Sequence, residues 1–317
     1  MTNRPTPGID PALAPNLGMT RDGQPLSYNR LAAPDISPWV AWLYAASVDV
    51  PDDYQVNCSL FNDTAMIRIQ LRGDWSAQTR DGPLRYSREA VYCGPQRKSM
   101  PVSVRGSFTS VGFALKPGAG VTVTGLPASD FVDRIVTCDS LGLPGGAALG
   151  MLDPDATPED WLQTLEAMAR GVLALRGAQP PDPVSERFEI LALTAPSTSI
   201  AEFAEDCAIS QRRLERICRR DFGMAPKQVL RRARALDMAS SLRGVADRDE
   251  AEEIELRYYD QSHLIREFTE LFGMSPRQFV TTPQPLMTLA LESRQSRRLA
   301  ILDRLPTDAP RPWAAPA

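Results

Sequence analysis

DFGMAPKQVL (Asp221–Leu230) and LFGMSPRQFV (Leu271–Val280) are nearly the same phrase, written twice at an offset of 50 residues. What precedes each copy explains the repeat. Ser199–Asp206 reads SIAEFAED, with Ile200, Phe203 and Ala204 on one helical face. Cys207-Ala208-Ile209 makes a short turn. Ser210 then caps QRRLERICRRD, where Leu214, Ile217 and Cys218 form an inner face and Arg212, Arg216 and Arg219 line another. Two short helices joined by a tight turn, the second with arginines outward, spell a helix-turn-helix. In the second unit Asp260 stands where Ser210 stood, Gln261 answers Gln211, Leu264 answers Leu214, Arg266 answers Arg216 and Phe268 answers Cys218. The repeated phrases themselves read as core and cap punctuation. Phe222 and Phe272 plug a core, Gly223 and Gly273 end a helix in the left-handed conformation, and Pro226 and Pro276 open the next one. Asp221-Phe222-Gly223 also spells a kinase motif, but neither a phosphate loop nor a catalytic loop accompanies it.

The chain has 317 residues and 43% apolar content, enough for two domains with real cores. No stretch approaches a membrane span, and the N-terminus has no apolar signal segment, so a cytoplasmic location is expected. Five scattered cysteines argue against a disulfide framework or a zinc site. With His263 as the single histidine, serine-triad, zincin and multi-histidine metal chemistries lose their ligands, and no cofactor is expected. The net charge of −4 hides an asymmetry: Ile209–Arg234 holds nine Lys/Arg against two acids. A basic stretch in an acidic protein suggests one polyanion-binding face.

An α+β chain is expected, a β-rich region followed by an all-α one. Residues 1–35, with six prolines, read as a flexible tail. From residue 36 to 178 the pattern is strand-like, then closes on a helix. In Thr64–Arg72, Ile67, Ile69 and Leu71 alternate with Arg68, Gln70 and Arg72, the mark of a half-buried strand. Ala90–Cys93, Val102–Arg105, Phe108–Leu115 and Val121–Thr124 add further short strands, as in a barrel or sandwich. Thr157-Pro158 opens a helix to Arg176, whose stripe of Trp161, Leu165, Met168 and Val172 fits either a dimer seam or packing on its own β-region. Trp39, Trp42, Tyr44, Trp75 and Tyr92 are core residues or the walls of an effector pocket. The linker QPPDP (Gln179–Pro183) separates this part from residues 184–282, and 283–317 form a C-terminal extension.

The stretches SQRRLERICRRDFGMAPKQVL and YYDQSHLIREFTELFGMSPRQF resemble the DNA-binding domain of AraC/XylS-type bacterial transcription regulators over roughly residues 185–282. The resemblance implies two helix-turn-helix units bridged by a long helix, Pro226–Leu242, with both recognition helices entering successive major-groove segments of double-stranded promoter DNA. It implies base readers Gln211, Arg212, Glu215 and Arg216 in the first unit, and Gln261, Ser262, Ile265 and Arg266 in the second. Arg, Gln and Ile suit guanine, adenine and the thymine methyl respectively. Arg213, Arg219 and Arg220 are expected at phosphates, and His263 in packing or at a phosphate. RNA polymerase, a small-molecule effector held by a cupin-like N-terminal region and a second copy of the chain are the implied partners.

One departure stands out: Glu253-Ile254 falls where Phe203-Ala204 leads to an apolar pair, with Glu250 and Glu252 close by and Arg257 where the family has glycine. Either that helix is shifted onto Ile254 and Leu256, or the second unit docks less firmly. A small cupin-like enzyme with a helical tether is the rival reading, and the β-region's lack of histidine opposes it.

Overall fold

The computed structural model describes residues 6–246, 262–304 and 311–315, with residues 262 and 263 described by backbone only. Nine strands come first: β1 (Ala14–Pro15), β2 (Tyr28–Arg30), β3 (Val40–Asp49), β4 (Gln55–Leu60), β5 (Met66–Thr79), β6 (Gly82–Ser87), β7 (Ala90–Cys93), β8 (Met100–Leu115) and β9 (Ile135–Thr137). They form one antiparallel sheet in the order β1-β3-β8-β5-β7-β9, with β2 added to β3, β4 to β8 and β6 to β5. The helices of the β-region are α1 (Ala119–Thr124), α2 (Gly145–Met151) and α3 (Pro158–Leu175). The helical region follows with α4 (Pro183–Thr194), α5 (Ile200–Asp206), α6 (Gln211–Asp221), α7 (Pro226–Leu242), α8 (Ser262–Phe272), α9 (Pro276–Thr281) and α10 (Pro285–Ile301). The chain is therefore α+β, with an antiparallel β-region ahead of a helical one.

Both faces of the sheet are packed, and this changes what its alternation means. Ile67, Ile69 and Leu71 face a core shared with Leu43, Val111, Phe113 and the inner side of α3. The opposite face is covered too. Tyr44, Ala46 and Val48 of β3 share a second core with Trp75, Val104 and Phe108 and with Leu286 and Leu289 of α10. Arg68 and Gln70 lie on that second face and are buried, not solvated as their alternation with apolar residues suggests. β3 is buried on both faces, which is why it reads as a nearly continuous apolar run.

The long strands β5 and β8 bend. Gly73 sits at φ 99°, and a Cβ there would lie 2.8 Å from Val104 Cγ2, so the bend needs glycine. The two short strands expected at 102–105 and 108–115 are one strand, β8. Val121–Thr124, expected as a strand, belongs to α1: Gly118 and Gly125, both left-handed, bound a short helix despite its alternating Val and Thr. In α3, Thr157 accepts from Asp160 N and Asp160 accepts from Thr157 N, a capping box. The helix buries Trp161, Leu162, Leu165, Ala169 and Leu173 against its own sheet.

Residues 6–35 are laid into the fold instead of trailing as a tail. β1 and β2 pair with β3, and Thr20 bridges to Ala314 near the other end of the chain. Arg311 donates to Asn29 O (2.6 Å), Ser27 O (3.2 Å) and Glu292 Oε1 (2.6 Å). The extension after residue 282 is equally internal, because α10 is buried along most of its length and packs on β3, β4 and α7.

Arg243, just after α7, ties these segments together. It is fully buried. Its Nε donates to Thr288 Oγ1 (3.0 Å), and its Nη1 donates to the carbonyls of Phe279, Val280 and Thr282 (3.2, 3.3 and 3.2 Å). Its Nη2 donates to Gly8 O (3.1 Å) and to the Gln24 amide oxygen. Replacing it would orphan several buried acceptors at once. Arg243→Leu is expected to lower stability by about 3 kcal/mol or more in urea unfolding. A loss under about 1 kcal/mol would show that this guanidinium is not the tie described.

Candidate nucleic-acid interface

The first unit forms as its residues direct. Ser199 Oγ accepts from Ala201 N (3.2 Å) to open α5, and Ser210 Oγ accepts from Arg213 N (3.2 Å) to open α6. Ala208 turns between them at φ 52°. Leu214, Ile217 and Cys218 are buried. Phe188 sits at the centre of that core, with ring centroids 5.1 Å from Phe203 and 5.5 Å from Phe222. The other side of α6 exposes Gln211, Arg212, Arg213, Glu215, Arg216, Arg219 and Arg220. Among the described residues, none pairs with Arg212, Arg213 or Arg216. Arg219 Nη2 lies 2.8 Å from Glu215 Oε1, one turn back. Arg220 folds onto Asp221 (2.6 Å), whose buried carboxylate also accepts from Ser185 Oγ. That pair ties α6 to α4, while the Arg220 side chain stays 45% exposed.

In the second unit, Phe268, Leu271 and Phe272 of α8 are buried, with Phe268 and Phe272 stacked at 4.2 Å and Phe279 edge-on at 5.3 Å from Phe268. Ile265 and Arg266 are exposed on the outer side, Ile265 by 47%. Gln261, Asp260 and the acidic stretch around Glu253 lie outside the described residues, as do the side chains of Ser262 and His263. The structure thus brings Ile265 and Arg266 to one exposed face.

The repeated phrases end and restart helices as expected. Gly223 and Gly273 adopt φ 76° and 71°, and α7 and α9 begin at Pro226 and Pro276. Gln228 and Gln278, the recurring glutamines of the two phrases, reach back to accept from Ala225 N (3.1 Å) and Ser275 N (2.9 Å). At Gly223 there is a second reason for glycine, since a Cβ would overlap Val132 of the β-region.

The basic stretch divides in two. Its α6 arginines mostly face outward, whereas those of α7 do not. Arg231 pairs with Glu267 (3.1 Å) and Glu270 of α8, and Arg234 lies 3.8 Å from Glu267. Arg232, 2% exposed, donates to Gln96 O (2.9 Å) and Asp63 O (2.5 Å) of the β-region. Charge counting along the chain misses this, because it treats every arginine as solvated.

α6 and α8 each bury an apolar inner face and expose an arginine on the outer one, with α7 packed against both, the arrangement expected of two recognition helices in a DNA-binding region. Residues 203–282 match the family model of a helix-turn-helix domain, and this domain is of the AraC type found in transcription regulators. No curated protein matches the chain. Among solved structures, it is similar to an apo ToxT variant from Vibrio cholerae, with TM-score 0.44 and 11% identity over 80% of this chain and 100% of that one. It is also similar to ToxT from Vibrio cholerae bound to an unsaturated fatty acid, with TM-score 0.43 and 10% identity over 75% and 94%. The AraC-like transcriptional activator CuxR gives TM-score 0.27 and 13% identity over 61% and 80%. Among the described residues no helix is long and apolar enough to cross a membrane.

The Glu215–Arg219 pair holds a carboxylate on the exposed arginine-bearing face of α6. Glu215→Ala is expected to release Arg219, raise affinity for random-sequence DNA and steepen the log–log salt dependence by about 0.9. Salt titrations of binding by wild type and variant measure this, and an unchanged slope would show that Arg219 stays away from the backbone.

Proposed function

We propose that the chain is a sequence-specific transcription regulator that binds double-stranded promoter DNA through α6 and α8 and answers to a small molecule held by its β-region. The observation that carries this reading is the pair of equivalent helices on one rigid connector. α7 shares its buried face with both units: Val229, Leu230 and Ala233 with the first, Ala235, Leu236 and Ala239 with the second. One recognition helix reads only a few base pairs, and two held about one helical turn apart, ~34 Å, read a longer site.

In this reading Gln211, Arg212, Glu215 and Arg216 read bases from the first unit, and Gln261, Ser262, Ile265 and Arg266 from the second. Arg213 and Arg219 are assigned to phosphates, where they set register without carrying sequence information. Arg220 is left to its pair with Asp221. The exposed arginines without carboxylate partners support the assignment, since a guanidinium free of intramolecular pairs can form the bidentate contact to guanine.

Gel shifts with the DNA upstream of the protein's own reading frame, against random DNA, test the proposal; equal binding to both would sink it. Arg216→Ala and Arg266→Ala are each expected to lose about 1–3 kcal/mol at one base position. A loss of the same size on every sequence would move that residue to the phosphate backbone.

A further inference from the structure

Arg68 lies near the start of β5 (Met66–Thr79) and is 7% exposed. Its Nη2 donates to Asn62 Oδ1 (3.0 Å) and approaches Met66 Sδ (3.4 Å), both neutral, and its guanidinium lies 5.8 Å from the centroid of the Tyr44 ring. Its Nε has no hydrogen-bond partner. Among the described residues no carboxylate lies within ion-pair distance of it. The titratable groups around it are Tyr44, Tyr86 and Cys93, and burial pushes all three up, which keeps them neutral near pH 7. A guanidinium does not shed its proton in a protein. A buried ion without a counter-charge is held at a penalty of several kcal/mol.

A cavity of about 70 Å³ opens beside it, between the inner face of the sheet and α10. Leu286, Leu289 and Ala290 of α10 and Trp75 and Phe108 of the sheet form its apolar walls. Tyr44 and Ser110, whose hydroxyls lie 3.1 Å apart, add polar lining. Three guanidinium groups border the cavity, Arg68, Arg294 and Arg297, against one carboxylate, Asp63. Arg294 is matched by Asp63 (3.0 Å) and Asp237 (2.6 Å), and Arg297 by Glu189 (2.5 Å). The unmatched charge is Arg68.

We propose that this cavity binds a short-chain organic carboxylate, with Arg68 as its counter-charge and α10 against its apolar end. The proposal rests on the regulator reading and gives its effector a chemical class. The size limit follows from volume: an engineered cavity of about 150 Å³ admits benzene, so 70 Å³ takes an anion of only a few carbons. A carboxylate in the cavity supplies the missing counter-charge beside Arg68, which neither water nor a neutral ligand achieves. Because Leu236 of α7 and the leucines of α10 are also walls, occupancy bears on the helices that carry both recognition units.

Titration calorimetry and thermal unfolding of the full-length protein test this, with sodium acetate as probe, acetamide as its neutral isostere and inorganic phosphate as an anion without a methyl end. Acetate is expected to bind and raise the Tm, and acetamide and phosphate are not. Arg68→Met, which fills similar space without charge, is expected to weaken acetate at least about tenfold while its Tm without ligand stays level or rises. No acetate binding, equal binding of acetamide, equal protection by phosphate, or undiminished acetate binding by Arg68→Met would each overturn the proposal. So would a marked fall in Tm for Arg68→Met, which would make the arginine a structural tie. Gel shifts of the ligand-free protein on its own promoter, run in parallel, report on the regulator reading alone.

Discussion

Charge buried along α10 is the constraint on which the arrangement of the molecule depends. Arg294 reaches Asp63 in the β-region and Asp237 in the connector helix α7, so one guanidinium closes an ion pair to each part. Arg298 adds to the Asp237 contact at 3.3 Å, and Arg297 pairs with Glu189 of α4. On the same helix, Glu292 accepts from Ser27, Asn29 and Arg311, which fixes both terminal segments. Such pairs add little net stability compared with apolar packing, but breaking one strands its partner at roughly 3–5 kcal/mol. Their effect is to make one relative placement of the two regions far better than its neighbours. An apolar interface would tolerate sliding; this one does not.

That constraint passes directly to the recognition helices. Asp63 is held below the usual carboxylate range, because although burial pushes it up, Arg294, Arg232 and Arg297 outweigh burial. Arg232 anchors α7 to the carbonyls of the β-region, while Arg231 and Arg234 on the same helix hold Glu267 of α8. The second unit also touches the β-region directly: Ser99 N donates to Leu271 O at 2.8 Å, and Phe61 meets Phe272 edge-on at 5.2 Å. The first unit meets it where Gly223 lies against Val132. α6 and α8 are therefore positioned by the β-region as well as by α7, which links the sheet mechanically to the exposed faces of both helices.

The helical region was largely legible in the sequence because its signals are local. Caps, the i, i+3, i+4 faces and the Gly and Pro punctuation each act within a turn or two, and a repeat at constant offset doubles every one of them. The β-region was legible in kind but not in exposure. Alternation in β5 correctly separates Ile67 and Ile69 from Arg68 and Gln70, yet period two says only that two faces differ, not that one is wet. Residues 6–35 escaped for another reason: strands of two or three residues leave no periodic trace, and prolines there mimic a tail. In α10, SRQSRR reads as a solvated surface, and the distant acids Asp63, Glu189 and Asp237 that answer its arginines leave no local trace. Of the five aromatics weighed as pocket walls, Trp42, Tyr44 and Trp75 line the cavity beside Arg68, while Tyr92 is packed in the core beneath α3.

The two kinds of buried arginine bear on how such a protein can be both rigid and responsive. Arg294, Arg297 and Arg311 are each answered by a carboxylate, and Arg232 and Arg243 by carbonyl oxygens, so removing any of them leaves acceptors stranded. Arg68 is answered by one amide oxygen and a thioether. A matched charge stabilises one arrangement regardless of solution composition. An unmatched one makes stability depend on whatever anion can reach it, because a ligand that binds only the folded form adds its binding energy to that form. Arg68 lines the same cavity as Arg294, Arg297 and Asp63, and Asp63 both pairs with Arg294 and gives Arg232 its backbone carbonyl. A ligand charge placed at Arg68 is therefore felt first by the network that sets where α7 and its two recognition helices lie.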